Sequence, residues 1–151
     1  MKIDVHILKS TDIEEMKDLI YVFQQVFEMN SFKYPSDTYL QNLLNKDNFF
    51  PVVATLDNKV IAGLTVYVID QYYSEMPLAY IYDLAVMQEH QRKGIGKKLI
   101  EFTIDHCRDK GFEEVFVQAE NLDDDAVNFY RHTKPTDEEI AVHFSYRLKT
   151  Q

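Results

Sequence analysis

The chain has 151 residues, enough for one ordinary domain with a real hydrophobic core. It is 46% hydrophobic and 27% charged, with four glycines and four prolines, a composition that excludes long disordered tracts. A net charge of −9 excludes the basic footprint that nucleic acid requires; it suits a cationic partner or substrate, and equally the plain solubility of an acidic surface.

The single cysteine, Cys107, excludes an internal disulfide framework and a Cys-rich metal site, and no metal is expected. Met1-Lys2-Ile3-Asp4 opens without an apolar signal region, and no apolar run approaches the ~20 residues that span a bilayer. The expectation is a cytoplasmic protein without a membrane partner.

Residues Ile3–Leu8 alternate apolar and polar and predict a first strand. Thr11-Asp12-Ile13-Glu14 has the pattern of a capping box, and Ile13, Met16, Leu19, Ile20, Phe23 and Phe27 then recur at helical spacing to about residue 29. Tyr34-Pro35-Ser36 breaks that run, and a second helix follows to about Asn45. Phe49–Leu56 and Val60–Ile69 are β-rich runs joined by Asp57-Asn58-Lys59, a hairpin signal. Leu78–Met87 predicts the next strand, and Ile95, Leu99, Phe102, Ile104 and Cys107 mark a helix from Lys93 to about Lys110 that Gly111 ends. Glu114–Ala119 predicts a short strand and Asp123–Arg131 a short helix with acids at its N-terminus, where the dipole favours them. Ala141–Leu148 alternates again and predicts a closing strand. The order is β-α-α-β-β-β-α-β-α-β: an α+β fold, one mixed sheet with helices on both faces, in a single domain over residues 1–151.

The stretch from Tyr80 to Lys97 organises the chain. An apolar strand, Tyr80-Ile81-Tyr82-Asp83-Leu84-Ala85-Val86, ends in a polar loop, and Gln91-Arg92-Lys93-Gly94-Ile95-Gly96-Lys97 then opens a helix. Unpaired N–H groups at a helix start, beside Arg92, Lys93 and Lys97, suit an anionic phosphate. The spacing is neither that of the Walker lysine loop nor G-x-G-x-x-G, which argues against phosphotransfer and redox classes.

Val86-x-x-x-x-Gln91-x-x-Gly94-x-Gly96 resembles the acyl-coenzyme A loop of the GNAT-type N-acetyltransferases, and Ala126-x-x-x-Tyr130 resembles that family's C-terminal Ala-x-x-x-Tyr helix. Further pieces are similar to the type I aminoglycoside (gentamicin) 3-N-acetyltransferases: Tyr39-Leu40-x-Asn42-Leu43-Leu44, Tyr82-Asp83-Leu84-Ala85-Val86, Glu89-His90, Val117-Gln118-Ala119, Asp123-Asp124-x-Ala126-Val127-x-x-Tyr130 and His143-Phe144. The resemblance spans roughly residues 20 to 145. It departs at Arg131-His132-Thr133-Lys134-Pro135-Thr136, where the family usually has a short turn containing Leu-Gly.

The resemblance implies the GNAT fold and an acetyl-coenzyme A-dependent enzyme. It implies backbone N–H groups from Arg92 to Lys97, with Gln91, holding the pyrophosphate. It also implies main-chain pairing of Leu84, Ala85 and Val86 with the pantetheine arm, and coenzyme-side roles for Asp123 and Tyr130. Tyr130 is the general-acid candidate, because a phenol is protonated at neutral pH and can hand its proton to a departing thiolate. Asp83 and Glu120 are the acceptor-side bases: a carboxylate can both bind an ammonium group and take its proton. Asp83 stands inside an apolar strand, which is costly without a purpose or a partner. Asp123, Asp124 and His143 complete the substrate-side set. Capping explains one acid of Asp123-Asp124-Asp125, and a strand histidine is ordinarily structural.

The acceptor the resemblance implies is the 3-amino group of an aminoglycoside, acetylated by direct transfer in a ternary complex. A polyamine or another small cationic amine is the alternative within the same enzyme class. A coenzyme-binding regulatory module without turnover is the alternative outside it. Aromatic content of 13%, with Tyr72, Tyr73 and Phe144 near expected edges, suits a homodimer.

Overall fold

A computed structural model of the protein describes residues 2–149. It divides into two compact bodies, one ending at Gln118 and the other beginning at Ala119.

The first body holds a five-stranded mixed sheet in the order β1-β2-β3-β4-β5. Its strands are β1 (Ile3–Ile7), β2 (Phe49–Leu56), β3 (Lys59–Ile69), β4 (Leu78–Val86) and β5 (Glu114–Val117). The first four pair antiparallel as neighbours, and β5 joins β4 in parallel. A parallel neighbour needs a crossover, which α3 (Ile95–Asp109) supplies. The β2–β3 hairpin turns at Asp57 and Asn58, both with positive φ (51° and 65°). That is the backbone whose twist matches a tight hairpin.

Helices α1 (Ile13–Val26) and α2 (Asp37–Leu44) cover one face. Met16, Leu19, Val22 and Phe23 of α1 and Leu40 and Leu44 of α2 pack with Phe49, Val53, Val60 and Ala85 into one core cluster. Gly63 lies beneath α1, where an added Cβ would meet the Leu19 side chain and come within 2.8 Å of the Val52 carbonyl. Helix α3 buries Ile95, Leu99, Ile100, Thr103 and Cys107, and its His106 ring meets Phe50, which points away from the Phe49 face. Helices therefore cover both faces, as the element pattern predicts.

One local expectation in this body changes. Helix α1 has no capping box: the Asp12 carboxylate reaches back to accept the Lys9 backbone N–H at 2.8 Å. Ser36 does cap α2, accepting the Tyr39 N–H at 3.1 Å.

The second body contains α4 (Asp124–His132), capped by Asp123, whose carboxylate accepts the Ala126 N–H at 3.1 Å. Arg131 makes a bidentate pair with Glu138, at 2.9 and 2.7 Å. The closing strand expected over Ala141–Leu148 is not formed. Those residues carry no ladder, and Ile140, Val142, Phe144, Tyr146 and Leu148 are 74–97% exposed. Alternation supplies one apolar face, but a strand also needs a neighbour for its backbone N–H and C=O groups.

Candidate active site

The site in the first body starts from an irregularity in β4. Leu64 pairs with Leu84 and Val66 with Ile81, so Tyr82 and Asp83 together oppose the single residue Thr65. A bulge of this kind re-aims side chains. Alternation from Tyr80 puts Tyr82 on the α1 side of the sheet, and alternation from Ala85, part of the α1 core, puts Asp83 there too. The Asp83 N–H reaches the buried Thr65 hydroxyl oxygen at 3.3 Å. Its side chain is half-buried, and burial holds the carboxyl above the ordinary carboxylate range.

An aromatic face runs through the same region. The Tyr67 ring meets Phe49 at 5.0 Å and Tyr82 edge-on at 5.7 Å, and Tyr82 meets Tyr80 at 5.9 Å. Tyr80 stacks on Phe116 at 4.7 Å and donates its hydroxyl to the Gln118 side-chain oxygen at 2.9 Å. Burial, then the neighbouring Tyr82 and Asp83, raise the pKa of both Tyr67 and Tyr80, so these phenols stay neutral. A carboxylate beside π faces is a natural receptor for an ammonium group.

The β4–β5 ladder ends at Ile81 and Val117, although β4 continues to Val86. On the β5 side, the edge of Tyr82–Val86 therefore has no strand partner among the described residues. That open edge leads into the glycine loop. A 3-10 turn, Gln88–His90, follows β4, and the Gln91 amide donates to the Val86 carbonyl at 2.9 Å, tying loop to strand. Arg92 takes a positive φ of 61° and Gly94 one of 81°, with nothing within 4 Å of where a Gly94 Cβ would stand. Helix α3 then begins with no acid in its first turn and with Gly94 as a cap that offers no side-chain acceptor. Gln91, Arg92, Lys93, Gly94 and Lys97 are exposed, whereas the Ile95 and Gly96 side positions are buried, so those two can offer a ligand only main chain. The Nδ1 atom of His90 is buried with no hydrogen-bond partner among the described residues.

These features fit an anionic coenzyme with an extended, amide-bearing arm. The loop and helix start suit its phosphates, and the open edge of Leu84, Ala85 and Val86 suits strand-like pairing with the arm.

In the second body, Glu120 is exposed and its carbonyl accepts the Asp123 N–H at 3.0 Å. Asp123 spends one carboxylate oxygen on the helix cap, and Asp124 is exposed in the first turn of α4. Tyr130 is partly buried, with its ring 5.0 Å from Phe129. His143 is exposed. The first body thus gathers Asp83, Leu84, Ala85, Val86 and Gln91–Lys97, and the second carries Glu120, Asp123, Asp124, Tyr130 and His143.

Sequence reasoning missed Tyr67, Tyr80 and Tyr82 as a wall beside Asp83. The alternating Tyr80 and Tyr82 were visible, but the bulge that brings Tyr82 and Asp83 to one side was not. His90 was noted only as part of a motif.

The profile of the acetyltransferase (GNAT) family matches residues 14–133. The chain belongs to the GNAT family of N-acetyltransferases. It is 55% identical, over 97% of each chain and with a TM-score of 0.95, to an aminoglycoside acetyltransferase from an uncultured soil metagenomic sample solved with trehalose. The sisomicin complex of that protein matches at 54% identity with the same coverage and TM-score. A second aminoglycoside acetyltransferase from an uncultured soil metagenomic sample matches at 30% identity over 99% of this chain and 100% of its own, with a TM-score of 0.90. No curated protein matches the chain. Among the described residues of this acetyltransferase, no helix is long and apolar enough to cross a membrane.

Proposed function

We propose that this acetyltransferase moves the acetyl group of acetyl-coenzyme A to the 3-amino group of an aminoglycoside, by direct transfer in a ternary complex, as a cytoplasmic homodimer. The observation that carries the reading is Asp83. It is a half-buried carboxylate at a bulge, between a tyrosine wall and the open edge of β4. The chain that holds it shares 54% of its sequence with an aminoglycoside acetyltransferase captured with sisomicin.

Acetyl-coenzyme A supplies a thioester, a carbonyl carbon already activated toward an amine. The backbone N–H groups from Arg92 to Lys97 and the Gln91–Val86 contact hold its phosphate end, and the β4 edge at Leu84, Ala85 and Val86 orients its arm. A main-chain N–H at the end of that edge polarises the thioester carbonyl, a contribution of ~3–4 kcal/mol for a preorganised donor.

Asp83 binds an ammonium group of the acceptor and takes its proton, directly or through one water, which frees the nitrogen lone pair. Burial strengthens Asp83 as a base by raising its proton affinity. As the C–N bond forms and the C–S bond breaks, Tyr130 donates its phenolic proton to the departing sulfur, and the second proton that the new amide nitrogen sheds passes to water, from which the phenol is restored. Glu120, Asp123 and Asp124 are the acids we assign to the acceptor's other ammonium groups, and His143 is the remaining acceptor-side candidate.

Free-thiol release with gentamicin, kanamycin, spermidine and lysine tests the proposal. Aminoglycosides should turn over with kcat/KM at least tenfold above spermidine. If spermidine is acetylated as fast as any aminoglycoside, the acceptor is a polyamine. Binding of acetyl-coenzyme A without thiol release for any amine would leave only a binding module.

A further inference from the structure

We infer that the rings of Tyr67, Tyr80 and Tyr82 form an aromatic cage for a second ammonium group of the acceptor, one that carries alkyl substituents, beside the carboxylate that receives the reacting amine. The inference rests on the proposed reading of Asp83 and adds the chemistry of the neighbouring group.

The sequence sets this region apart. From Val60 to Glu89 there are five tyrosines, four acids and no basic residue. Tyr67 and Tyr80 are register partners across β3 and β4, so their side chains stand on one face of the sheet. Tyr82 follows Tyr80 by two residues and joins them there. Its ring lies at 89° to Tyr67 and 85° to Tyr80, with centroids 5.7 and 5.9 Å away. Two walls thus stand perpendicular to a third. A cation seated over one of these faces comes within about 6 Å of the perpendicular neighbour's centroid as well, so more than one ring serves a single site.

The rings are not spent on the core. Tyr82 is 58% exposed and Tyr67 39%, which leaves π surface open to a ligand. Tyr67 and Tyr80 hold their protons more tightly than a free phenol, so their faces stay neutral. Tyr39, exposed on α2, adds to that effect on Tyr67 and so stands near it on the helix side. What the region lacks is a cation. Asp83 is half-buried, and no basic side chain among the described residues pairs with it. A carboxylate in that state is costly until an external cation arrives.

Perpendicular aromatic walls beside one acid suit an alkylated ammonium. Its weak hydration makes it easy to take from water, and its charge is spread over alkyl groups that can touch the ring faces. A primary ammonium would bring three N–H donors that ring faces satisfy poorly.

Proton NMR of choline with the full chain tests this, using 3,3-dimethylbutan-1-ol as the uncharged probe of the same shape. The choline methyl protons should shift upfield, because they lie over ring faces, and choline should bind at least tenfold more tightly than the alcohol. Tyr82→Leu should weaken choline binding at least tenfold. Tyr82→Phe keeps the face and should stay within threefold of wild type, and Tyr72→Ser, altered at an exposed aromatic outside the cage, should match wild type. Circular dichroism checks that each variant folds. Should Tyr82→Leu fail to fold, the upfield shift and the choline-to-alcohol ratio on wild type decide. Equal affinity for the two probes, no upfield shift, or a folded Tyr82→Leu that binds choline as wild type does would each overturn the inference. The outcome is separable from the proposed function. Aminoglycoside turnover without the choline signature sinks the cage alone, whereas the choline signature without acetylation of any aminoglycoside sinks the acceptor reading and leaves the cage.

Discussion

Two segments of this acetyltransferase share a reading and differ in outcome. β4, an apolar run, and the stretch Ala141–Leu148, which alternates, each read from sequence alone as a strand. β4 has β3 on one side and β5 on the other, and Ala79, Ile81 and Ala85 are fully covered. The C-terminal stretch has no ladder and stays exposed. Alternation states that a face needs covering, but not where the cover comes from. The difference extends to their polar residues. In β4 the packed surroundings make Asp83 a perturbed carboxylate, whereas His143 of the C-terminal stretch stands exposed.

The comparison breaks if the second body only caps and packs. Tyr130→Phe should lower kcat at least tenfold with little change in the KM for acetyl-coenzyme A, measured by thiol release. Unaltered turnover would remove the general-acid role.

Packing inside the sheet can be set against the exposed C-terminal stretch directly. Gly63→Ala forces a methyl group against Leu19 and the Val52 carbonyl, and should cost about 1–3 kcal/mol in urea denaturation. Ser145→Ala, in that stretch, should change the stability by less than about 0.5 kcal/mol. Equal effects would mean that the two segments are not packed as differently as described.

A small, pH-dependent effect lies at the far edge of the sheet. His6 bridges Asp4 at 2.9 Å and Glu15 at 2.8 Å. Burial opposes its charge, but the two carboxylates outweigh that and raise its pKa. The stabilisation is therefore complete below the ordinary histidine range and disappears as pH rises through the raised folded value. The ring is partly exposed, so the effect should stay under about 1 kcal/mol. Melting temperatures from pH 6 to pH 9 should show this decline in wild type and lose it in His6→Gln. An identical slope in both would assign it elsewhere.

Much of the fold and of the coenzyme loop was legible because local chemistry dictates it. Asp57-Asn58 demands a hairpin turn, Ser36 a helix start, and Gly94 a left-handed loop before α3. The acceptor side was legible only in part. Asp83 stood out as a charge in an apolar strand, but the Tyr67–Tyr82–Tyr80 wall depends on a bulge and a cross-strand register that no local pattern encodes. The closing strand failed for a related reason: alternation describes a face but supplies no neighbour for the backbone N–H and C=O groups.

Asp83→Asn tests the central claim most directly, with melting temperature and kcat/KM for sisomicin read on one preparation. Because burial raises the Asp83 pKa, the folded state binds its proton more tightly than the unfolded chain does. Stability therefore falls as pH rises through that window, and the ionised carboxylate is a cost at neutral pH. The amide removes that cost and the base together. The account predicts a higher melting temperature at pH 7 and a kcat/KM lower by about a hundredfold or more, with the KM for acetyl-coenzyme A unchanged. A kcat/KM within a few-fold of wild type would contradict it.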